Sequence, residues 1–257
     1  PKGGGTGGSI SLRDALAKSV NVVAARTAME IAPIGDVIKL AHNMGINSEL
    51  PNVISLSLGA GEVTPLEITN AFGTFANEGI WVEPIAILKI EDRNGKVIEE
   101  FHPQTREAMS EETAYIMSDM MQGVIDYGTA TSVRQFFQRP AAGKTGTSQS
   151  YTDAWFIGFT PQFVAGVWLG FDDARVKFGG SYGQGGTAAA PIWGRFMGKL
   201  YSDDQFDFPI AYFLMPETIE EAAVCTVTGM RSNGSCPAVT DLSIKKNNSK
   251  KCNIYHY

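Results

Sequence analysis

The residues best suited to chemistry stand in two short groups far apart in the chain. The first is Lys144-Thr145-Gly146-Thr147, preceded by Gly143. Gly-Lys-Thr also ends a phosphate-binding loop, but that loop needs a glycine five positions before Gly143, where Gln138 stands, and Pro140 interrupts the segment. On an edge strand, a lysine followed by a hydroxyl and a glycine sets a cation and a hydrogen-bond donor beside backbone from which nothing protrudes. Such a strand can hold a carboxylate while a peptide pairs alongside it. The second group is Ser19-Val20-Asn21. Its two polar side chains, one residue apart, can project together from a break between helices. A third stretch, Gly183-Gln184-Gly185-Gly186-Thr187-Ala188, fits G-x-G-x-x-A with Asp203 downstream. It follows an antiparallel pattern instead of opening a βαβ unit, so a flexible loop is expected there and no dinucleotide.

These groups need a scaffold, and the composition bounds it. A chain of 257 residues, 44% hydrophobic and 19% charged, suits one medium domain or a domain with a small appendage. Its 28 glycines and 12 prolines show no collagen-like period. A net charge of −6 argues against a nucleic-acid partner. The first residue is Pro1 with no charged-then-apolar leader, so the sequence reads as a piece of a longer protein. The apolar run 154–171 is cut by Thr160-Pro161-Gln162 into two strand-length parts, a hairpin and not a membrane span. Cys225, Cys236 and Cys252 all fall late, which hints at an oxidising compartment and allows at most one disulfide. They lack C-x-x-C spacing, and His42, His102 and His256 are scattered, so neither a zinc site nor any cofactor is expected.

Helices are expected over 12–18, 22–31 and 36–44, the last closed by Gly45. Leu12, Ala15 and Leu16 give the first its apolar side. Thr64-Pro65-Leu66-Glu67 reads as a capped helix entry, and Asn77-Glu78-Gly79 as that helix's end. A hairpin turns at Asp92-Arg93-Asn94-Gly95, and an amphipathic helix runs from Ser110 to Tyr127-Gly128. Strands follow over 142–148, 153–159 and 163–171, then a helix over 191–200 and a tail with short strands at best. Helices followed by an antiparallel sheet make an α+β fold, with a body over 1–205 and a Cys-bearing tail over 206–257.

A Ser-x-Asn in a helical segment and a later Lys-Thr-Gly on a strand are two of the three motifs of penicillin-recognising enzymes. The likeness is longer than the motifs. LRDALAKSVNVVAAR (12–26), LGAGEVTPLEITNAFGTFANEG (58–79), GVIDYGTATSV (123–133), RPAAGKTGTSQSYTDAWFIGFTP (139–161) and AAAPIWGRFM (188–197) resemble the transpeptidase domain of class A, bifunctional penicillin-binding proteins. One departure is large. The family's nucleophile is the serine of an S-x-x-K motif ahead of the S-x-N, whereas here Ser9 precedes Leu12 and Ser11 precedes Asp14 by three places. Ser243-Ile244-Lys245-Lys246 does fit, but in a polar tail beyond Lys144. The nucleophile is therefore expected upstream of Pro1, and this chain alone is expected to be inactive.

The resemblance implies a penicillin-binding-protein/β-lactamase-like fold and a serine D,D-transpeptidase. The implied substrates are peptidoglycan stem peptides ending in D-Ala-D-Ala, with β-lactams as inhibitors. It implies a place on the outer face of the bacterial cytoplasmic membrane, anchored through an upstream segment, a glycosyltransferase domain in the same protein, and cell-wall synthesis partners. Ser19 would relay a proton, and Asn21 would hold the missing lysine and a substrate amide. Lys144 would favour the substrate carboxylate, Thr145 and Thr147 would bond it, Gly146 would keep the strand face clear, and the Thr147 N–H would form half of an oxyanion hole. A non-catalytic β-lactam or muropeptide sensor, or a hydrolase of the carboxypeptidase or β-lactamase type, are the alternatives.

Overall fold

The computed structural model describes residues 10–173, 175–246 and 250–254; the Gly-rich start and His256 lie outside them. In chain order the elements are α1 (Leu12–Ala17), α2 (Asn21–Glu30), α3 (Ile34–Asn43), α4 (Pro65–Ala76), β1 (Ile80–Val82), β2 (Lys89–Glu91), β3 (Val97–Glu100), β4 (Thr105–Glu107), α5 (Glu111–Asp126), β5 (Ala142–Thr147), β6 (Ala154–Phe159), β7 (Val164–Leu169), α6 (Gly185–Tyr201), β8 (Ile219–Cys225) and β9 (Ala238–Ile244). All strand pairs are antiparallel, and β5-β6-β7 form a meander with β5 at one edge. The α+β expectation holds.

Each helix start has a local cause. Ser11 and Ser110 accept hydrogen bonds from the N–H groups of Asp14 and Thr113, capping α1 and α5. Thr64 and Glu67 close a reciprocal capping box on α4, with Pro65 at its first position. Glu67 reaches further, accepting from the Ser48 hydroxyl at 2.6 Å and from the N–H groups of Asn47 and Ser48 at 2.8 and 3.0 Å. These bonds, the Ser48 hydroxyl foremost, lower its pKa from 4.5 to about 2. Because the folded value lies below the unfolded one, this stabilisation is complete above pH 4.5 and is lost as the pH falls toward 2. Glu67→Gln is expected to cost about 1–2 kcal/mol at neutral pH. Urea titrations should also show a smaller loss of stability on acidification to pH about 3 in the variant than in the parent.

The core lies between α5, α6 and the meander, where Trp193, Phe156, Val124, Ile125 and Met197 are wholly buried. The Trp193 indole N–H donates to the carbonyls of Gly158 (3.2 Å) and Ala165 (3.1 Å), locking α6 across β6 and β7. A Cβ at Gly158 would stand 2.7 Å from the Trp193 ring, so the sheet must be bare there for the helix to seat.

Several expectations change. The 183–188 stretch is not simply a flexible loop: Gln184 is the N-cap of α6, and Gly185 to Ala188 form its first turn. Pro191 therefore sits inside that helix and not at its start. Its missing N–H removes one ladder bond in the helix interior, and wholly buried Trp193 and Met197 on the C-terminal side hold the helix to the core across that gap. Of the expected apolar side of α1, Ala15 is buried and Leu16 packs against the cluster holding Met121 and Phe159, but Leu12 is exposed and Ala17 takes its place. The hairpin that turns at Asp92–Gly95 pairs only over the short strands β2 and β3, all of whose residues are exposed, and β1 pairs with β4 where no pairing was expected. The tail carries more than short strands, since β8 and β9 pair over seven residues each. The spacing argument against a cysteine site also fails: Cys225, Cys236 and Cys252 bring their sulfurs within 4.8 Å of one another, because β8, the turn before β9 and the chain end converge. Among the described residues no helix is long and apolar enough to cross a membrane.

Candidate functional site

The site forms where the end of α1 meets β5. Helix α1 ends at Lys18, and Ser19 follows with φ +53°, in the left-handed region. The Ser19 N–H donates to the Leu16 carbonyl at 3.2 Å and the Val20 N–H to the Ala15 carbonyl at 2.9 Å. This is the Schellman pattern, with a serine in the position that glycine usually takes. A non-glycine residue there costs roughly 1–2 kcal/mol, and such strain is retained where a side chain is needed. The Lys144 ammonium donates to Ser19 Oγ at 2.9 Å and to the Thr145 carbonyl at 3.1 Å. Two groups 125 residues apart in sequence thus share a hydrogen bond.

Burial disfavours the charged form of Lys144 and lowers its pKa from 10.5 to about 8. Asn21 is the first residue of α2 and is exposed; among the described residues no hydrogen bond joins it to Ser19 or Lys144. Thr145 Oγ1 lies 2.7 Å from Thr129 Oγ1. Thr147 Oγ1 accepts from the N–H of Gly185, the first residue of α6, at 3.1 Å, which leaves its own proton to donate. A Cβ on Gly146 would sit 3.1 Å from Trp155 Cβ, so that glycine keeps β5 close to β6. The groups that meet here are hydroxyls and one amine, none of them carboxylate, imidazole or thiol ligands for a metal.

Thr129 is the residue the sequence reading left without a role. Its N–H donates to the Ala17 carbonyl at 3.0 Å while its hydroxyl meets Thr145, so one residue joins the end of α1 to β5. Gly128 beside it would put a Cβ 2.3 Å from the Ala17 carbonyl oxygen, which fixes that approach as glycine-only. The signal was present in the GVIDYGTATSV stretch, quoted for its likeness and not for its chemistry. Arg13 holds α1 from the other side, bonding Asp119 of α5 and, at 2.5 Å, Asp241 of β9. Burial works against its charge, but the two carboxylates keep its pKa above the ordinary value. Two surface concavities lie elsewhere, one beside Arg134, Arg139 and Tyr212 and one beside Glu49 and Glu62, and neither includes Ser19 or Lys144.

The family model described as the penicillin binding protein transpeptidase domain matches residues 3–198. The chain belongs to the penicillin-binding protein transpeptidase family. It is 40% identical over 196 residues to penicillin-binding protein 1A of Neisseria meningitidis, an alignment covering 74% of this chain and 24% of that protein. The crystal structure of penicillin-binding protein 1A from Haemophilus influenzae superposes with a TM-score of 0.84 at 25% identity, over 96% of this chain and 41% of that one. The PonA1 protein of Mycobacterium tuberculosis, solved in complex with penicillin V, superposes with a TM-score of 0.66 at 22% identity over 81% of this chain and 62% of that one, a likeness of fold. The chain thus spans about a quarter of the length of the curated penicillin-binding protein 1A it matches. The family-model match over 3–198 spans both motif regions, so the family resemblance and the fold expected from it hold.

Proposed function

We propose that this chain is the substrate-holding and proton-relaying part of a serine D,D-transpeptidase that cross-links peptidoglycan stem peptides and is acylated by β-lactams. The observation that carries the reading is the 2.9 Å bond between Lys144 and Ser19, which joins the two motifs in one cluster. In the reaction a serine oxygen attacks the penultimate D-Ala carbonyl, and the D-Ala–D-Ala amide bond breaks. The leaving nitrogen takes a proton, and an amine of a second stem then takes the acyl group. Ser19, hydrogen-bonded to a lysine whose pKa is about 8, is suited to pass that proton, since its hydroxyl can donate and accept at once. Lys144 and the free hydroxyl proton of Thr147 suit the terminal carboxylate, and the Thr147 N–H the oxyanion. Asn21 is assigned to the substrate amide and to the lysine of the S-x-x-K segment.

The attacking serine is proposed to come from sequence N-terminal to Ser19, as no S-x-x-K precedes that residue here. The whole protein is read as a class A enzyme with a glycosyltransferase domain, held on the outer face of the cytoplasmic membrane, and residues 206–257 as a tail appended to the transpeptidase body. Intact-mass spectrometry after penicillin treatment tests the reading. The chain alone should take no adduct, and the chain joined to its natural upstream S-x-x-K segment should take one penicillin per molecule. An adduct on the chain alone, or none on the extended form, would overturn it.

A further inference from the structure

Cys225, Cys236 and Cys252 lie in the tail, apart from the Ser19–Lys144 cluster, and serve nothing in the mechanism above. Their three sulfurs fall within 4.8 Å of one another. Cys225 and Cys252 are buried, and Cys236 is half-buried on the more open side. Backbone bonds fix all three. The Cys225 N–H donates to the Met230 carbonyl, and the Gly229 N–H to the Cys225 carbonyl, both at 2.8 Å. The Cys252 N–H donates to the Arg231 carbonyl at 2.8 Å, and the Thr226 N–H to that of Pro237, next to Cys236, at 2.9 Å. Asn233 ties two of them together, donating to the Cys252 carbonyl at 2.9 Å and accepting from the Cys236 thiol at 3.2 Å.

A disulfide needs two of these sulfurs and would leave the third unused. A thiophilic ion uses all three: Zn–S bonds of about 2.3 Å set tetrahedral sulfurs roughly 3.8 Å apart, within about 1 Å of the 4.8 Å limit that encloses the three sulfurs here. The tail also needs a staple. Two antiparallel strands are marginal by themselves, and β8 buries only Ile219, Ala222 and Cys225 while β9 buries no residue fully.

We infer that Cys225, Cys236 and Cys252 form a structural site for a thiophilic divalent metal, Zn²⁺ in the first instance, that clamps the β8–β9 hairpin. The fourth tetrahedral position is left to solvent. On binding, each thiol loses its proton to solvent and no group is oxidised or reduced. Three thiolates around Zn²⁺ carry one net negative charge. Arg231, whose carbonyl holds Cys252, lies beside the site with its guanidinium already ion-paired to Glu220, so the site's own charge is left to solvent and the fourth ligand.

The test uses the whole chain, reduced under anaerobic conditions, exposed to Zn²⁺ or Co²⁺ and freed of excess metal. One zinc per chain is expected by elemental analysis. Cobalt should give the thiolate charge-transfer band and intense visible bands of a tetrahedral, sulfur-rich site. Cys236→Ser should weaken binding by about 100-fold or more, and a chelator should lower the Tm of the parent and not of the variant. Should the variant not fold, the cobalt spectrum of the parent decides. Metal well below one equivalent with no tetrahedral cobalt spectrum overturns the inference, as does a Cys236→Ser protein that binds zinc as tightly as the parent.

Discussion

Lys144→Ala, introduced into the protein that carries the upstream S-x-x-K serine, is expected to slow acylation by penicillin about 100- to 1,000-fold and to leave the fold intact. The argument starts from position. Lys144 lies on β5 at the sheet edge, where a substrate strand can pair, and its ammonium already donates to Ser19 Oγ. Alanine removes both the cation that meets a carboxylate and the donor that aims the Ser19 hydroxyl. Misfolding does not account for such a loss. Burial has lowered the Lys144 pKa to about 8, against about 10.4 in an unfolded chain, so holding this lysine charged at neutral pH works against folding. That cost is full below pH 8 and fades as the pH rises toward 10.5. Urea unfolding at pH 7 should therefore show the alanine variant at least nearly as stable as the parent. A pH series adds an independent reading. Non-covalent affinity for a carboxylate-bearing β-lactam should fall in the parent as Lys144 loses its charge above pH about 8, and should be flat across that range in the variant. Near-normal acylation by the variant would remove Lys144 from the site.

How far the sequence could be read depended on whether each signal was local. The capping box read at Thr64 and Glu67 formed as expected, and the structure caps α1 and α5 in the same local way, through Ser11 and Ser110 and partners three residues on. The strands β5 to β7 were legible because turn residues bound short apolar runs. What failed was non-local. Gly185-Gly186 has poor helix propensity, and its close packing against β5, β6 and the Thr129 loop makes it the first turn of α6. A Cβ on Gly185 would stand 2.2 Å from the Trp155 carbonyl oxygen, and one on Gly186 would stand 2.0 Å from that of Thr129. Those glycines are there for close approach, which composition reads as looseness. In the same way Thr129 carries no pattern of its own and gains a role only because Ala17 and Thr145 come to it. The three cysteines show the same limit, since a site assembled from the ends of a hairpin leaves no fixed spacing in the chain. The motif pair Ser19-x-Asn21 and Lys144-Thr145-Gly146 was recognisable, but its physical content, one hydrogen bond between Ser19 and Lys144, belongs to the fold.

Ser19→Gly is expected to raise stability and lower activity together. The residue sits at φ +53° in the C-terminal cap of α1, a position where glycine meets no steric penalty. Against the roughly 1–2 kcal/mol relieved there, glycine gives the unfolded chain more freedom, so a net gain of about 0.5–1 kcal/mol is expected. The two backbone bonds of the cap, from Ser19 to Leu16 and from Val20 to Ala15, do not involve the side chain and should persist. Activity should move the other way. Without Oγ, Lys144 loses its partner across the cleft and no hydroxyl stands to pass the proton to the leaving nitrogen, a loss of about 100- to 10,000-fold in acyl transfer. Ser19→Ala supplies the control, since it removes the same hydroxyl but keeps the strained backbone. It should be as slow as the glycine variant and no more stable than the parent. A glycine variant that gained stability and kept full acylation would show that the strain at Ser19 serves something other than this reaction. One that lost stability would show that the cap is held by contacts other than its backbone.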